Sequence, residues 1–393
     1  MPKVCRVILL IETSRACGRG MLLGISKYSR LYGPWTFYRI PLFYRELHRK
    51  KETISDLKDW SPDGIIMGDT FYPTKVQKGR EIIKMGLPTI AIANEPKIPG
   101  VVNIIAGNDK IGQMAAEHLL DRGFRHHAYC GFDDIFWSVE RSKSFGSRIA
   151  KAGFKTHFYK QAKFRGKHLW KNEQLLMADW LKSLPKPLGL MACNDDGGQQ
   201  VIDACKIAGL KVPDEVAIIA VDNDELVCGL TDPPLSSINL NFERAGYESA
   251  ELLDKLMAGE KMSGQSILVP ATHIVTRRST DILAIEDPDV AKALSFIREH
   301  ARESIQVADV ADMVALSRRS LERRFRKILG RSVHDEIRRV RIDQVVRMLQ
   351  ETNLTVSQIA LRLGYPGVDH IARDFRRVKG ISPVAYRKQY SSK

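Results

Sequence analysis

Residues 310–332, VADMVALSRRSLERRFRKILGRS, and residues 359–382, IALRLGYPGVDHIARDFRRVKGIS, decide how this chain is to be read, because the second stretch repeats the first. Val310-Ala311-x-x-Val314-x-Leu316 aligns with Ile359-Ala360-x-x-Leu363-x-Tyr365, and Leu321-x-Arg323-x-Phe325-Arg326-Lys327 with Ile371-x-Arg373-x-Phe375-Arg376-Arg377. Gly330-x-Ser332 and Gly380-x-Ser382 close the two copies. Each copy predicts a short helix with one apolar face, a tight turn, and a second helix that buries Leu321 and Phe325 or Ile371 and Phe375. The turns are Leu316-Ser317 and Gly364-Tyr365-Pro366-Gly367. This is helix-turn-helix geometry.

Between the copies, His334 to Thr352 carries apolar residues at Ile337, Val340, Val345, Met348 and Leu349, the pattern of a single joining helix. A rigid joiner presents both second helices to successive major grooves, about 34 Å apart along a duplex. The outward face of the first copy's second helix holds Arg318, Arg319, Glu322, Arg323 and Arg326. The second copy offers Asp369, His370, Arg373 and Arg377. Arg323 and Arg373 are expected to contact DNA, since a guanidinium bonds bidentately to guanine or to a pair of phosphate oxygens. Arg318 also faces outward, and Arg319, Glu322, Asp369 and His370 are the candidate base readers. An Arg-rich helix standing alone reads better as a solvated surface, but here the pattern is duplicated in the most basic part of the chain. The 393 residues carry a formal charge of +15, and the residues from Ile285 onward hold 22 Lys and Arg against 14 Asp and Glu.

These residues resemble the DNA-binding domain of the AraC family, whose second unit reads I-A-x-x-x-G-[FY], R-x-F-[KR] and G-x-S-P-x-x-[YF]-R. Ile359-Ala360, Gly364-Tyr365, Arg373-x-Phe375-Arg376 and Gly380-x-Ser382-Pro383-x-x-Tyr386-Arg387 carry the match. The family's Ser-rich, aromatic stretch before the arginine is replaced by Pro366 to Ile371, so the resemblance extends to the fold and not to base preference.

Upstream, short β-rich runs alternate with amphipathic segments, the rhythm of βαβ units on parallel sheets. Strands are expected at Val7 to Ile11, Gly64 to Met67 and Thr89 to Ala93, with helices at Met21 to Leu31 and Lys78 to Met85. A second set has strands at His127 to Gly131, Gly189 to Cys193 and Val216 to Val221. Its helices are Ile111 to Arg122, Glu140 to Ala152, Asn172 to Leu184 and Gly197 to Ala208. Leu235 to Leu240, a helix over Arg244 to Ala258 and a strand over Ile267 to Val275 then return the chain to the first lobe. The expected division is a sensor domain over 1–280, with lobe 1 as 1–107 plus 238–280 and lobe 2 as 108–237. A linker at 281–288 and an all-α domain over 289–393 follow. Such a two-lobed clamp takes a ligand in its cleft, at the carboxyl ends of the strands.

Asn194-Asp195-x-x-Gly198, a helix ending at Gly209, and Val212-Pro213-Asp214-Glu215 leading into Val216 to Asn223 resemble the ligand domain of the LacI and periplasmic sugar-binding group. Asp109, Arg141 and Phe145 fit the same group. Asp109, Asn194 and Asp222 follow strands and exchange hydrogen bonds with hydroxyls, Arg141 supplies a fork of donors, and Trp137 offers an apolar face to a sugar ring. Each position has another reading: Asp109 and Asp195 as helix caps, Arg141 as partner of a structural carboxylate, Trp137 as core. Arg15 and Arg19, in the turn after the first strand, border the cleft or are surface charges.

The combination of both resemblances is that of the regulators of xylose operons. It implies a small neutral sugar, D-xylose, as effector, double-stranded operator DNA as partner, a homodimer, and RNA polymerase as a further partner if the chain activates. Another pentose or hexose, or repression, are the alternatives within this class.

An enzyme is the rival reading, because α/β lobes host much chemistry. No P-loop, G-x-G-x-x-G, G-x-S-x-G or H-E-x-x-H is present, so no catalytic residue is assigned. The six cysteines lack a C-x-x-C pair, which argues against a zinc site or disulfide framework, and neither metal nor cofactor is expected. The first apolar run is cut by Glu12, and no stretch reaches the roughly 20 apolar residues of a membrane span, so a cytoplasmic protein is expected over an exported sugar-binding protein.

Overall fold

The computed structural model describes residues 4–39, 58–68, 82–92, 98–160, 169–260, 265–285 and 287–390. The first lobe begins β1 (Cys5–Leu10), α1 (Ala16–Tyr32), β2 (Trp35–Arg39), β3 (Gly64–Met67), β4 (Thr89–Ile92) and β5 (Val102–Ala106). The second follows as α2 (Asn108–Leu120), β6 (His126–Gly131), α3 (Phe136–Lys151), β7 (Thr156–Lys160), α4 (Leu169–Ser183), β8 (Leu188–Ala192), α5 (Asp195–Ala208), β9 (Val216–Asp222), α6 (Glu225–Leu230) and β10 (Ser236–Leu240). Then come α7 (Phe242–Met257), β11 (Ser266–Val269), β12 (Ala271–Val275) and a 3₁₀ turn at Arg278–Thr280.

Two six-stranded sheets result, ordered β11-β5-β4-β3-β1-β2 and β12-β10-β9-β8-β6-β7. β3 and β8 are buried along their whole length, as strands of parallel sheets covered on both faces must be. Their continuous apolar runs made them legible. β2 and β7, absent from the sequence expectation, each close one edge of their sheet, and β5 was missed with them. Half of the expected helix at Lys78 to Met85 lies outside the described residues.

The division into lobes needs correction. The expected strand Ile267 to Val275 breaks at Pro270, which has no N–H for a ladder, and its halves enter different sheets: β11 pairs with β5 and β12 with β10. β10 itself pairs with β9, so residues 238–240 and 271–275 complete the second sheet, while α7 and β11 belong to the first lobe. The three crossings lie side by side, with Gly107 N donating to Val269 O at 3.0 Å and Asn241 N to Pro270 O at 3.2 Å. They form the hinge.

The helical domain comprises α8 (Pro288–Glu299), α9 (Val307–Met313), α10 (Arg318–Leu329), α11 (Val333–Glu351), α12 (Val356–Arg362), α13 (Val368–Lys379) and α14 (Pro383–Tyr390). Pro288, expected in the linker, is the first residue of α8, whose N-terminus is capped by Asp287 through the Asp289 and Val290 amides at 3.1 and 3.2 Å. The domain has two separate cores. One gathers Leu294, Val310, Leu321, Phe325 and Ile337, and the other Val345, Leu349, Ile359, Ile371, Phe375 and Tyr386. The first half of α11 packs into one and its second half into the other. In the stretch before α8, Ile282 and Ala284 pack against the sensor core while Leu283 and Ile285 pack against the helical domain.

Candidate functional site

Arg141 projects from α3 into the seam beneath the hinge and is 4% exposed. It donates through Nη1 to the Cys193 carbonyl at 2.5 Å and through Nε to Asn108 Oδ1 at 3.1 Å, and Nη2 lies 3.7 Å from Asp222 Oδ1. Its guanidinium carbon stands 4.8 Å from the Trp137 ring centroid, a cation–π stack. Three of the residues selected from sequence are thus together, with Arg141 already engaged by a carboxylate.

Asp109 is not among them. The helix α2 starts at Asn108, which turns the Asp109 side chain outward to Gln113 at 2.7 Å and leaves Asn108 facing Arg141. Asn194 caps α5, accepting from Gly197 N at 2.9 Å. Asp195, weighed as a cap, is instead buried under the end of β9, accepting from Asp224 N at 2.7 Å and Ser237 Oγ at 2.6 Å. Burial, and then the charge of Asp222, push its carboxyl up.

Asp222 and Asn223 both adopt left-handed backbone, with φ of +104° and +50°. L-residues hold such angles only where the surroundings over-determine them. Here Asn223 N donates to Ser237 Oγ at 3.0 Å, its Nδ2 to Asn239 Oδ1 at 3.2 Å, and Arg277 Nη2 donates to its Oδ1 at 2.8 Å. The turn is rigid, and it aims Asp222.

Arg15 and Arg19 reach across the cleft. Arg15 Nε meets Asp196 at 2.6 Å, while Arg19 Nη2 and the Ala16 amide meet the two carboxylate oxygens of Asp224 at 2.7 and 2.8 Å. Both arginines therefore strap α1 of the first lobe to the second. Neither Asn223 nor Asp224 was singled out from sequence as a site residue, although Asn223 stood in the quoted motif.

Asp222 opens onto a cavity of about 440 Å³. Ala16, Gly20, Phe242 and Glu243 wall it from the first lobe, Asn223, Asn239, Thr272, His273 and Arg277 from the second sheet and hinge, and Gln350 from α11. Amides, a hydroxyl, carboxylates and one apolar face converge there, the lining that a polyhydroxylated ligand takes. Burial, and then the nearby Arg347, push the His273 imidazole down to about 4, so it is neutral at physiological pH.

The DNA face has a different character. Arg318, Arg319 and Arg323 stand exposed on α10, and half-buried Glu322 lies 3.9 Å from Arg326. On α13, Asp369, His370 and Arg373 are exposed, with Arg373 Nη2 and His370 Nδ1 3.0 Å apart. Asp369, Ala372, Arg373, Arg376 and Arg377 line a shallow concavity of about 420 Å³ along α13. Arg376, noted in sequence only for the repeat, shares this face.

Residues 116–280 match the model of the periplasmic binding protein-like domain, and residues 310–389 that of a helix-turn-helix domain. Over 390 residues the chain is 28% identical to the xylose operon regulatory protein of Escherichia coli K12, covering 97% of this chain and 96% of that protein. With the xylose operon regulatory protein of Haemophilus influenzae the identity is 29%, covering 97% of this chain and 98% of that one. The solved structure of a xylose-binding transcription activator superposes with a TM-score of 0.62 and 26% identity, covering 99% of both chains. With a sensor clamp before two helix-turn-helix units in one continuous match, the chain is a sugar-responsive, DNA-binding transcription regulator, similar along its whole length to the xylose operon regulators.

Proposed function

We propose that D-xylose is the effector, taken between the lobes at Asp222, and that the sugar-loaded chain activates transcription as a cytoplasmic homodimer. The observation that carries this is Asp222, held in left-handed backbone at the rim of a polar interlobe cavity of about 440 Å³. The sugar follows the full-length relatives, which are named as xylose operon regulators and as a xylose-binding activator. Arg141 positions Asp222, and Trp137 stacks on Arg141. On sugar binding the lobes close further and the tail's affinity for its operator changes by the difference in sugar affinity between the two forms. Leu23, Leu31 and Tyr32, exposed on α1 of the first lobe, suit a dimer contact, and two tails would then read two repeated DNA sites. As an activator the chain would contact RNA polymerase.

Calorimetry with D-xylose, L-arabinose, D-ribose and D-glucose tests the effector. We expect D-xylose to bind most tightly and Asp222→Ala to weaken it at least about tenfold, the loss of a charged hydrogen-bonding group. Equal affinity of wild type and Asp222→Ala overturns the site. Light scattering after size exclusion tests the dimer.

A further inference from the structure

The cavity that Asp222 opens onto has a wall from the DNA-binding domain: Gln350, on the last turn of α11. We propose that Gln350 is the residue through which the DNA-binding domain senses the effector. A polyol held against Asp222 then bears directly on the C-terminal end of α11. Effector binding and the placement of the second helix-turn-helix unit are coupled by contact as well as by lobe closure. This rests on the sugar reading of the cavity given above.

The fastening of α11 supports such a lever. Its first half is pinned to the second lobe: Arg331, two residues before the helix, and Arg339 meet Asp121, which follows α2, at 2.8 and 3.0 Å, and both also bond the fully buried Glu336 at 2.6 and 2.7 Å. Its far end carries the second unit. Arg387 Nε donates to the Leu349 carbonyl at 3.1 Å, the Arg341 guanidinium stacks 4.1 Å from the Tyr365 ring centroid, and Val345 and Leu349 share a core with Ile371 and Phe375. That end rests on hinge strand β12, where Tyr386 OH donates to the Thr272 carbonyl at 3.2 Å and Arg347 faces His273. From the first lobe, Arg244 on α7 reaches the Lys388 carbonyl at 3.4 Å. A displacement at Gln350 therefore has a fixed point at one end of the helix and the α13 reading face at the other. An effector that fills the cavity acts on both lobes and on this end at once.

The test uses the full chain and a labelled duplex selected from random sequence on the wild type. Anisotropy titrations with and without saturating D-xylose give the ratio of the two DNA affinities, and calorimetry gives D-xylose affinity with and without the duplex. The two ratios must agree by linkage. We expect Gln350→Ala to bring the ratio at least about fivefold closer to one, against the range of about 5 to 150 seen for coupled sites. Tyr386→Phe should lower it less. A Gln350→Ala chain with the wild-type ratio overturns the inference. A wild type whose DNA affinity ignores bound D-xylose overturns the inference alone, and one that binds none of the four sugars in calorimetry overturns the sugar reading and the inference with it. Should Gln350→Ala unfold, Gln350→Asn keeps the amide on a shorter stem, and an unchanged ratio there also counts against direct contact.

Discussion

The two helix-turn-helix units repeat the same core positions in separate cores and differ on their outer faces. Leu321 and Phe325 in the first correspond to Ile371 and Phe375 in the second, and all four are fully buried. The turns correspond too, with Ala315 and Gly364 both in left-handed backbone at φ of +53° and +62°. The outer faces do not: α10 presents Arg318, Arg319 and Arg323, whereas α13 sets Asp369 and His370 beside its arginines. Their moorings differ as well, the first unit lying beside an ion-pair cluster on the second lobe and the second touching the hinge. Packing preserves what a repeat needs to fold, and leaves free what each copy needs to recognise.

That contrast can be broken by experiment, beginning with the cores. Phe325→Ala and Phe375→Ala should each cost about 3–5 kcal/mol in urea unfolding. Because the cores are separate, hydrogen exchange should lose protection in the mutated unit and retain it in the other. Loss in both would show one cooperative domain.

Acid should distinguish the moorings. Burial pushes the Glu336 carboxyl up, but Arg339 and Arg331 outweigh it and hold it at about 2. Its ordinary value is about 4.3, so the folded form gains up to about 3 kcal/mol above pH 5 and loses it as the pH falls toward 2. In Glu336→Gln this acid-dependent loss should be absent, and the neutral variant should be the less stable at pH 7, since its arginines lose their partner. An unchanged stability profile against pH would remove Glu336 from the account.

At the reading faces, Arg323→Ala and Arg373→Ala should each weaken DNA binding by about 1–3 kcal/mol. Titration across a salt series separates their roles: a phosphate contact lowers the salt slope by about one, and a base contact leaves it unchanged while relaxing sequence preference. The smallest effects belong to the turns. Ala315→Gly should stabilise the chain and Gly364→Ala destabilise it, each by about 1 kcal/mol in thermal unfolding. The nearest atom to a Cβ at Gly364 is 3.9 Å away, so the dihedral alone sets the cost. Shifts of the same sign would mean that the two turns are not equivalent.

Much of this was legible in sequence because repetition and periodicity are local. The paired turns, both inner faces and the buried strands β3, β8 and β9 all followed from spacing. The edge strands β2 and β7 did not, since neither has a long apolar run. Whether Asn108 or Asp109 meets Arg141 depends on helix phase, which one residue at the start of α2 decides. The hinge escaped because Pro270 divides an apolar run whose halves join different sheets. Least legible were Asp121, Gln350 and Tyr386, which matter through partners more than a hundred residues away. Tyr386 and Thr272 are 114 positions apart, and Arg331 and Asp121 are 210.

Residues 282–285, in the stretch before α8, alternate, Ile282 and Ala284 against the sensor, Leu283 and Ile285 against the helical domain. A segment with this two-residue period obeys a parity rule, as a strand in a sheet does. One added or deleted residue would turn Ile282, Leu283 and Ala284 toward the wrong domain, while a change of two would restore the faces and alter only the reach. The connection is thus not a tether whose length may drift, and exchanging sensor or tail between such regulators should work in even steps at this junction and fail in odd ones.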